Sequence, residues 1–378
     1  MKKLKIIRAT TVPTSLNTFC KGLLRELAEE GYEVVAVSSP GQQLQEIAVR
    51  ERCRVVAVPM ERHISPLRDL RSLGQMWTVF RKEKPHMVHS MTPKAGLICM
   101  MAAWLARVPV RVHTFTGLVF PTATGLTKRI LMLTDWLTCA CATHVIPEGE
   151  GVKNDLLGHG ITRKPLQVLG HGNVRGIDLN YYQSQNHEKE KGCFRFVFVG
   201  RIVRDKGMNE LIEAFSRLHR ECPATKLLLV GSREERLDPV SPDTWAEIEA
   251  NEAIDAVGSQ DDVRPFYESA NALVFPSYRE GFPNVVIETG AMGLPSIVTD
   301  INGSREIIIE GENGTIIPPR DADALYQAMR RFVERPDEIR HMAANARQLV
   351  ASRFEQGYVR QCLKDFYAEA LSRVPHKV

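Results

Sequence analysis

The sequence predicts an α/β protein built from two doubly wound parallel sheets, and three observations support this. Short apolar runs alternate with helix-like segments along most of the chain, as expected for repeated βαβ units. The chain has 378 residues, of which 44% are hydrophobic, which is enough for two separate cores. A polar stretch at residues 183–192 has almost no apolar side chains, which makes it the best candidate for a linker between two domains.

The first half of the chain, residues 1–180, is predicted to form one domain. Its predicted strands are residues 4–8, 33–38, 54–59, 87–90, 110–113, 143–146 and 166–169. Its predicted helices are residues 16–30, which Gly31 ends, and residues 66–84, 93–107 and 124–141. Each crossover between parallel strands is long enough for a right-handed βαβ unit.

The second half, residues 193–355, is predicted to form a domain of the same kind. Its predicted strands are residues 194–199, 226–230, 254–257, 272–275, 296–299 and 315–317. Two helices that follow Asp321 and Pro336 are expected to close this domain.

In one stretch of the second half, residues 275–295, the sequence predicts the end of a strand, a loop and a helix. Gly281 gives the loop a flexible backbone, Pro283 suits a first helical turn, and Asn284 is a candidate cap, so a helix is expected from about residue 283 to residue 290 or 293. The unpaired N–H groups at its start would form an anion site. Glu280 in the loop and Glu288 in the helix are carboxylates, so an anion here needs cations from elsewhere in the chain.

Cations follow the strand at residues 194–199, where a parallel sheet presents its ligand-binding edge. The guanidinium of Arg201 and the ammonium of Lys206 suit a diphosphate. Glu288 lies four residues beyond Asn284, about 6 Å along a helix, where it could accept hydrogen bonds from the hydroxyls of a ribose. Glu280 would then face the group beyond the diphosphate. The combination indicates a nucleotide-sugar site.

Three features together resemble the retaining glycosyltransferases of family 4. They are the two glutamates, Glu280 and Glu288, separated by seven residues, the Gly-Arg-x4-Lys-Gly turn at residues 200–207, and the Phe-Pro-Ser run at residues 275–277. The resemblance implies the GT-B fold, in which two Rossmann-like domains face each other across a cleft. It implies that residues 1–180 bind the acceptor and residues 193–355 the nucleotide-sugar donor. It also implies that a C-terminal helix, about residues 356–378, packs back on the first domain.

The resemblance further implies roles for particular residues. Arg201 and Lys206 would stabilise the departing diphosphate, Glu280 would orient the donor sugar, and His113 would lie near the reacting centre. The implied donor contacts are Glu288, Gly281, Phe282, Pro283, Asn284, Val263, Ser15 and Asn173. Three of these candidates have equally simple structural readings: Ser15 as a helix cap, Asn173 as part of a tight turn, and His113 as a buried histidine.

The sequence predicts neither a bound metal nor a resident cofactor. Asp321 and Asp323 have the Asp-x-Asp form that metal-dependent glycosyltransferases use, but they follow two prolines and open a helix, so capping is the better interpretation. The eight cysteines lack metal-ligand spacing. Gly170 and Gly172 are not followed by a third glycine at the spacing of a dinucleotide-binding motif.

The net charge of +4 hides an asymmetry between the halves. Residues 1–180 contain 24 of the 49 basic residues but only 14 of the 45 acidic ones, so the first half is basic and the second is acidic. The first half is therefore expected to face an anionic lipid surface or a phosphorylated acceptor. No nucleic-acid-binding motif accompanies the charge, so nucleic acid is not an expected partner.

Membrane contact has two candidate helices. Leu67, Leu70, Leu73, Trp77 and Phe80 are interleaved with basic residues in the helix at residues 66–84, and Lys128, Arg129 and Trp136 lie in a later apolar helix. The basic residues of the first candidate are Arg62, Arg68, Arg71, Arg81, Lys82 and Lys84. The pattern fits a helix at a membrane surface, but an ordinary helix that covers the sheet is the favoured interpretation. No secretory leader is recognised before residues 2–6, so a cytoplasmic protein is expected, with contact at the inner face of the membrane as the open question.

The sequence therefore predicts a metal-independent retaining glycosyltransferase. Its expected reaction moves a hexose or an N-acetylhexosamine from a UDP-sugar to a glycan or a polyprenyl-diphosphate-linked acceptor, in the assembly of a bacterial surface polysaccharide. Two alternatives stay open from the sequence. One is a nucleotide-sugar 2-epimerase on the same scaffold, and the other is a non-catalytic scaffold protein that binds a nucleotide sugar.

Overall fold

The computed structural model describes residues 3–61, 65–184, 192–234 and 238–373. The chain forms two compact units, one of residues 1–176 with 357–378 and one of residues 177–356. Each is an α/β unit around a six-stranded parallel sheet, which confirms the predicted fold class. Most of the predicted linker, residues 185–191, and one basic residue of the first amphipathic candidate, Arg62, lie outside the described residues.

The sheet of the first unit has the strand order β3-β2-β1-β4-β5-β6. Its strands are β1 (Lys5–Ala9), β2 (Glu33–Ser38), β3 (Arg54–Ala57), β4 (Met87–Met91), β5 (Val110–Phe115) and β6 (His144–Pro147). The register places Ile7 beside Val35 on one side and beside Val88 on the other. Residues 166–169, expected as a seventh strand, do not form one, because only Leu166 pairs with the sheet, in a single bridge to Val145.

Helices cover both faces of this sheet. They are α1 (Pro13–Cys20), α2 (Leu23–Glu29), α3 (Gln42–Glu51), α4 (Pro66–Glu83), α5 (Pro93–Leu105), α6 (Gly125–Cys141) and α7 (Glu150–Gly158). The prediction of one continuous helix at residues 16–30 is wrong. Gly22 has a left-handed backbone (φ +81°), which ends the hydrogen-bonding pattern of α1 and starts α2 in a new direction.

The sheet of the second unit has the strand order β12-β11-β10-β7-β8-β9. Its strands are β7 (Phe194–Val199), β8 (Thr225–Val230), β9 (Ile254–Gly258), β10 (Ala272–Phe275), β11 (Ser296–Thr299) and β12 (Gly314–Ile317). Strand β7 lies between β8 and β10, and Val197 is registered with Leu228 and Leu273. These central strands are apolar runs because both faces of the sheet are covered.

The helices of the second unit alternate with these strands. They are α8 (Met208–Glu221), α9 (Pro242–Ala250), α10 (Arg264–Ser269), α11 (Asn284–Ala291), α12 (Ser304–Ile307), α13 (Ala322–Glu334) and α14 (Pro336–Phe354). Helix α8 has a clear apolar face, in which Leu211, Phe215 and Leu218 are fully buried against the sheet.

The last helix, α15 (Gln356–Ser372), packs on the first unit. Phe366, Tyr367 and Leu371 join the core around α1, α2 and β2. The hydroxyl of Tyr367 accepts a hydrogen bond of 2.5 Å from the guanidinium of Arg8, a buried residue of β1. A buried cation needs such polar partners, so this contact helps to fix α15 on the first sheet. Over the described ranges, none of the helices is both long and apolar enough to cross a membrane.

Candidate functional site

The second sheet reverses its direction of strand addition between β7 and β10. The chain adds β8 and β9 on one side of β7, and then β10, β11 and β12 on the other. Ligands of open parallel sheets bind at the carboxyl ends of the strands at such a switch point, because the two connecting loops diverge there and leave a crevice. The turn with Arg201 and Lys206 follows β7, and the loop with Glu280 follows β10. The topology therefore brings these two predicted segments together.

Lys206 and Glu280 are in direct contact at this point. The ammonium of Lys206 forms an ion pair with a carboxylate oxygen of Glu280, and their side chains are only 19% and 18% exposed. The same carboxylate oxygen accepts a hydrogen bond of 2.8 Å from the hydroxyl of Ser277. The ammonium also lies 5.0 Å from the centre of the Phe275 ring, a distance at which a cation is attracted to the aromatic face. These contacts fix both charged side chains.

Arg201 differs from Lys206 in its surroundings. It is exposed, and the described part of the chain offers it no ion-pair partner. A guanidinium held near the end of β7 and open to solvent can take an anion through two parallel hydrogen bonds. The turn therefore supplies one exposed cation and one cation already held by a carboxylate.

The turn and the loop are locked together by backbone packing. Gly207 has a left-handed backbone (φ +70°), and a Cβ atom at this position would lie 2.1 Å from the carbonyl oxygen of Pro276. The amide of Tyr278 donates a hydrogen bond of 2.8 Å to the carbonyl of Asp205. Such close approach is possible only for glycine at position 207, which is why the motif ends in this residue.

Glu288 lies on α11 and is 9% exposed. One of its carboxylate oxygens accepts a hydrogen bond of 3.1 Å from the hydroxyl of Tyr267, a fully buried residue of α10. This contact fixes the carboxylate, and an acceptor held in this way is suited to bind hydroxyl groups.

The start of α11 differs from the expectation in two respects. Asn284 was expected to cap the helix but is its first residue, while Pro283 occupies the cap position and offers no side-chain acceptor. Phe282 is 4% exposed and its ring packs edge to face on Phe354, so its side chain belongs to the core. The glycine that this corner requires is Gly303 (φ +73°), because a Cβ atom there would lie 2.5 Å from the carbonyl oxygen of Gly281.

Val263 lies at the start of α10 and packs against the core of the second unit. The segment before it, residues 259–261, is exposed and follows β9 at the carboxyl edge of the sheet. Directly after this segment, Asp262 and Arg264 form an ion pair of 2.7 Å. The structure therefore places the exposed residues 259–261 on the same edge of the sheet as the turn with Arg201.

Three predicted site residues belong to the first unit. His113 is 1% exposed inside β5; its Nδ1 lies 2.9 Å from the hydroxyl of Ser90, and its ring fills the space above Gly96. Burial lowers the pKa of His113 from its ordinary value of 6.5 to about 3, so the ring is neutral at physiological pH. His113 is therefore a core histidine in this structure.

Local structure explains Asn173 but not Ser15. Ser15 lies in the first turn of α1, whose cap position is Val12, so the expectation that Ser15 caps the helix is wrong. Asn173 is 2% exposed with a left-handed backbone (φ +59°), and its side-chain oxygen accepts hydrogen bonds from the amides of Arg175 and Gly176. Asn173 therefore closes a tight turn, as the alternative interpretation expected.

Sequence reasoning missed the residues that brace the Arg-Lys turn. The carboxylate of Asp205 accepts a hydrogen bond of 3.1 Å from Arg279, and the carboxylate of Asp238 accepts one of 2.6 Å from the amide of Asp205. Arg204 also pairs with Asp238 at 3.0 Å. No short-range pattern reveals these partners, because Asp205 and Arg279 are 74 residues apart.

The expectation that Asp321 caps a helix is confirmed. Its carboxylate accepts a hydrogen bond of 2.8 Å from the amide of Ala324 at the start of α13. Asp323 pairs with Arg217 at 2.6 Å on the surface. Both carboxylates therefore have structural partners. Over the described part of the chain, no group of three or more histidine, cysteine, aspartate or glutamate side chains has the arrangement of a metal site.

Family models match both halves of the chain. Residues 182–349 match the model described as glycosyl transferases group 1, and residues 15–172 match the model described as a glycosyl transferase 4-like domain.

Two curated relatives match over most of the chain. The capsular polysaccharide biosynthesis glycosyltransferase CapM of Staphylococcus aureus is 31% identical over 97% of this chain and 97% of its own length. The UDP-Gal:alpha-D-GlcNAc-diphosphoundecaprenol alpha-1,3-galactosyltransferase of Escherichia coli is 25% identical over 82% of this chain and 81% of its own length.

Solved structures show the same fold. Anabaena Alr3699/HepE in complex with UDP and glucose superposes with a TM-score of 0.80 at 16% identity, covering 97% of this chain and 100% of the other. Sucrose-phosphate synthase of Thermosynechococcus elongatus gives a TM-score of 0.78 at 19% identity, covering 98% of this chain and 100% of the other. At these identities the likeness shows the fold alone, which is GT-B.

Proposed function

We propose that this chain, which belongs to the group 1 glycosyltransferases, moves a hexose or an N-acetylhexosamine from a UDP-sugar to a glycan or polyprenyl-diphosphate-linked acceptor in surface polysaccharide assembly. The observation that carries the proposal is the contact of Lys206 with Glu280 at the switch point of the second sheet. The S. aureus and E. coli relatives, whose names include capsular polysaccharide biosynthesis and a diphosphoundecaprenol acceptor, support the substrate class.

The proposed mechanism assigns the donor to the second unit. Arg201 and Lys206 stabilise the negative charge that develops on the departing diphosphate, and Lys206 is already held in position by its contact with Glu280. Glu280 orients the donor sugar beside that diphosphate, and Glu288 accepts hydrogen bonds from the ribose. The backbone of residues 281–284 is assigned to the phosphates and that of residues 259–263 to the nucleobase.

The proposal includes retention of configuration at the transferred sugar. Neither carboxylate of the site is assigned as a covalent nucleophile, because Glu280 is paired with Lys206 and Glu288 is hydrogen-bonded to Tyr267. Attack by the acceptor hydroxyl on the same face as the leaving group then retains the configuration. The reaction is proposed to need no metal, and the two Asp-x-Asp carboxylates are assigned their structural partners instead.

Contact with a membrane is proposed for the first unit. Helices α4, α5 and α6 pack side by side, and three of the chain's four tryptophans, Trp77, Trp104 and Trp136, lie on them with 42%, 56% and 49% of their surface exposed. Leu67, Leu70, Leu126 and Leu133 of α4 and α6 are also at least half exposed. Exposed tryptophan, leucine and basic side chains are typical of surfaces that lie in a lipid interface. The location that follows is the inner face of the cell membrane.

A panel of nucleotide sugars tests the proposed reaction. Release of nucleoside diphosphate would be measured with UDP-, GDP- and ADP-linked sugars in the presence of a polyprenyl-diphosphate-linked glycan, with the anomeric configuration of the product read by NMR. Release from a UDP-sugar that depends on the acceptor supports the proposal. Turnover with no transfer product, or an inverted product, would contradict it.

A further inference from the structure

A second concave surface lies beside the Arg-Lys turn in the same unit. It is a cavity of about 490 Å³ lined by residues of that turn, of the segment after β8 and of α9, in the size range of about 300–1,000 Å³ typical of small-molecule sites. Ile202, next to Arg201, pairs with Arg233 in a bridge that extends β7 and β8 past their carboxyl ends. The cavity therefore opens on the ligand-binding edge of the sheet.

An aromatic ring and charged groups of both signs line this cavity. The guanidinium of Arg233 stacks over the ring of Trp245 at 3.9 Å. The indole nitrogen of Trp245 donates a hydrogen bond of 2.6 Å to the carboxylate of Glu249. Pro239, Val240 and Pro242 add apolar surface, and Glu234 adds a second carboxylate. Among the described lining residues one cation stands beside two carboxylates, and this net negative charge disfavours a diphosphate.

Such a lining suits a neutral carbohydrate. The hydroxyls of a sugar accept hydrogen bonds from a guanidinium and donate them to carboxylates, while the apolar face of the sugar ring packs on the prolines of the lining. A nucleoside diphosphate would instead meet the carboxylates of Glu234 and Glu249. The chemistry therefore separates this cavity from the site of Arg201 and Lys206.

Hydrogen bonds connect the wall of the cavity to the Arg-Lys turn. The carboxylate of Asp238 accepts from the amide of Asp205 at 2.6 Å, and Asp238 lies next to Pro239 in the wall. On the other side, Asn209, two residues after Gly207, accepts hydrogen bonds from the amide of Ser241 at 3.1 Å and the hydroxyl of Thr244 at 2.9 Å. These hydrogen bonds fix the position of the start of α9 relative to the Arg-Lys turn.

We infer that the cavity around Arg233 and Trp245 is a subsite for a neutral glycan, separate from the donor site. The inference rests on the proposed function, because a glycan subsite beside the diphosphate turn serves an enzyme that extends a glycan. Trp245 holds the guanidinium of Arg233 in place, Arg233 donates hydrogen bonds to sugar hydroxyls, and Glu249 accepts hydrogen bonds from them. The subsite lies wholly within the second unit.

Calorimetric titration of the full chain tests this subsite. The probes are maltotriose, chitotriose and raffinose as neutral trisaccharides, and trigalacturonate as an anionic trisaccharide. We expect at least one neutral probe to bind, and Trp245→Ala and Arg233→Gln to weaken it tenfold or more while UDP affinity stays within twofold. Arg233 is exposed, so its variant keeps the test valid if Trp245→Ala unfolds the protein. Arg220→Ala, an exposed arginine of α8 outside the cavity lining, is the matched control.

The outcomes separate the two proposals. Absence of binding by all three neutral probes, unchanged binding in the Arg233→Gln variant, or stronger binding of trigalacturonate than of the neutral probes would each overturn the glycan subsite. Loss of UDP binding in the unaltered protein would instead count against the proposed donor site. In that case, neutral trisaccharide binding that depends on Arg233 would still support the glycan subsite.

Discussion

The α-carbon of Gly207 lies against the carbonyl of Pro276, so close that a Cβ atom at position 207 would be 2.1 Å from the carbonyl oxygen. This contact joins the turn after β7 to the loop after β10, the two segments that carry Lys206 and Glu280. The ion pair between these two side chains depends on that backbone contact, because a displaced turn would move the ammonium away from the carboxylate.

Gly207→Ala is therefore expected to displace the turn and to reduce UDP affinity by at least tenfold, with a drop in thermal stability. Gly311→Ala is the matched control: Gly311 lies in the same unit with a similar backbone (φ +79°), but a Cβ atom there meets nothing within 4 Å. The control variant loses only about 1–2 kcal/mol from the left-handed backbone. Calorimetry would measure both quantities. Equal loss of UDP affinity in the two variants would contradict the packing argument.

Arg201→Ala and Lys206→Ala are each expected to lower kcat about a hundredfold or more with the fold intact. Removing one preorganised donor from a developing negative charge costs about 3–4 kcal/mol of transition-state stabilisation. Steady-state release of UDP measures the effect, and circular dichroism checks the fold. Arg220→Ala serves as the control. Near-normal rates in both site variants would place the diphosphate elsewhere.

The two glutamates are expected to differ in kinetics. Glu288→Gln should raise the donor KM about tenfold with a small change in kcat, because it removes a charged acceptor from the ribose. Glu280→Gln should mainly lower kcat, because it orients the reacting sugar. Tyr267→Phe removes the 3.1 Å hydrogen bond to Glu288. It should also raise the donor KM, by a smaller factor than Glu288→Gln does. A main effect of Glu288→Gln on kcat and of Glu280→Gln on the donor KM would contradict the roles assigned to the two glutamates.

Stability is expected to fall as the pH drops below about 6.5. Burial lowers the pKa of His113 from 6.5 to about 3, and burial with the nearby Arg8 charge lowers the pKa of His89 in the same direction. Between these values the unfolded chain binds protons that the folded chain does not, so acid favours unfolding. The slope is about 1.4 kcal/mol per pH unit for each such histidine.

Urea unfolding between pH 7.5 and 5 measures this slope. His113→Gln should make the loss of stability with falling pH less steep, whatever its effect at pH 7.5. His341→Gln is the control, since His341 has 62% of its side chain exposed. An unchanged slope in the His113 variant would show that this ring is not buried in solution and would reopen its assignment to the reacting centre.

Binding to anionic vesicles is expected to depend on the first unit and to fall steeply with salt, since charges beyond about 8 Å are screened near physiological ionic strength. Neutralising four basic residues of α4 and its end should weaken binding by up to about 4 kcal/mol, at about 1 kcal/mol per residue. Those four residues are Arg68, Arg71, Lys82 and Lys84. Donor affinity should not change.

Vesicle flotation with measured UDP affinity tests the membrane proposal. The matched control neutralises four exposed arginines of the second unit, namely Arg220, Arg331, Arg335 and Arg340. A separate variant, Leu126→Ser with Trp136→Ser, probes the apolar side chains of α6, which are 72% and 49% exposed. No binding by the unaltered protein would favour a soluble acceptor. Equal binding by all variants would exclude these helices as the contact surface.

The donor-site motif was recognisable from sequence because its parts are short-range. Glu280 and Glu288 lie on one loop and helix, and Arg201 and Lys206 on one turn, so the two spacings and their order after predicted strands carry the signal together. His113 looked similar in sequence, at the end of a strand, yet its ring is buried against Gly96 and Ser90. The end of a strand in the sequence does not show which face of the sheet a side chain points to, so the burial of His113 depends on tertiary packing.

The sequence by itself determined the α/β class, most of the strands and the family, because alternating apolar runs and turn residues are local properties of the chain. The tertiary structure decided which distant groups meet. It set Asp238 against Asp205 and Tyr267 against Glu288. These pairs depend on the order of strands in the second sheet, which brings loops from separate parts of the chain to one edge. No local pattern encodes that order, because it results from packing of the whole unit.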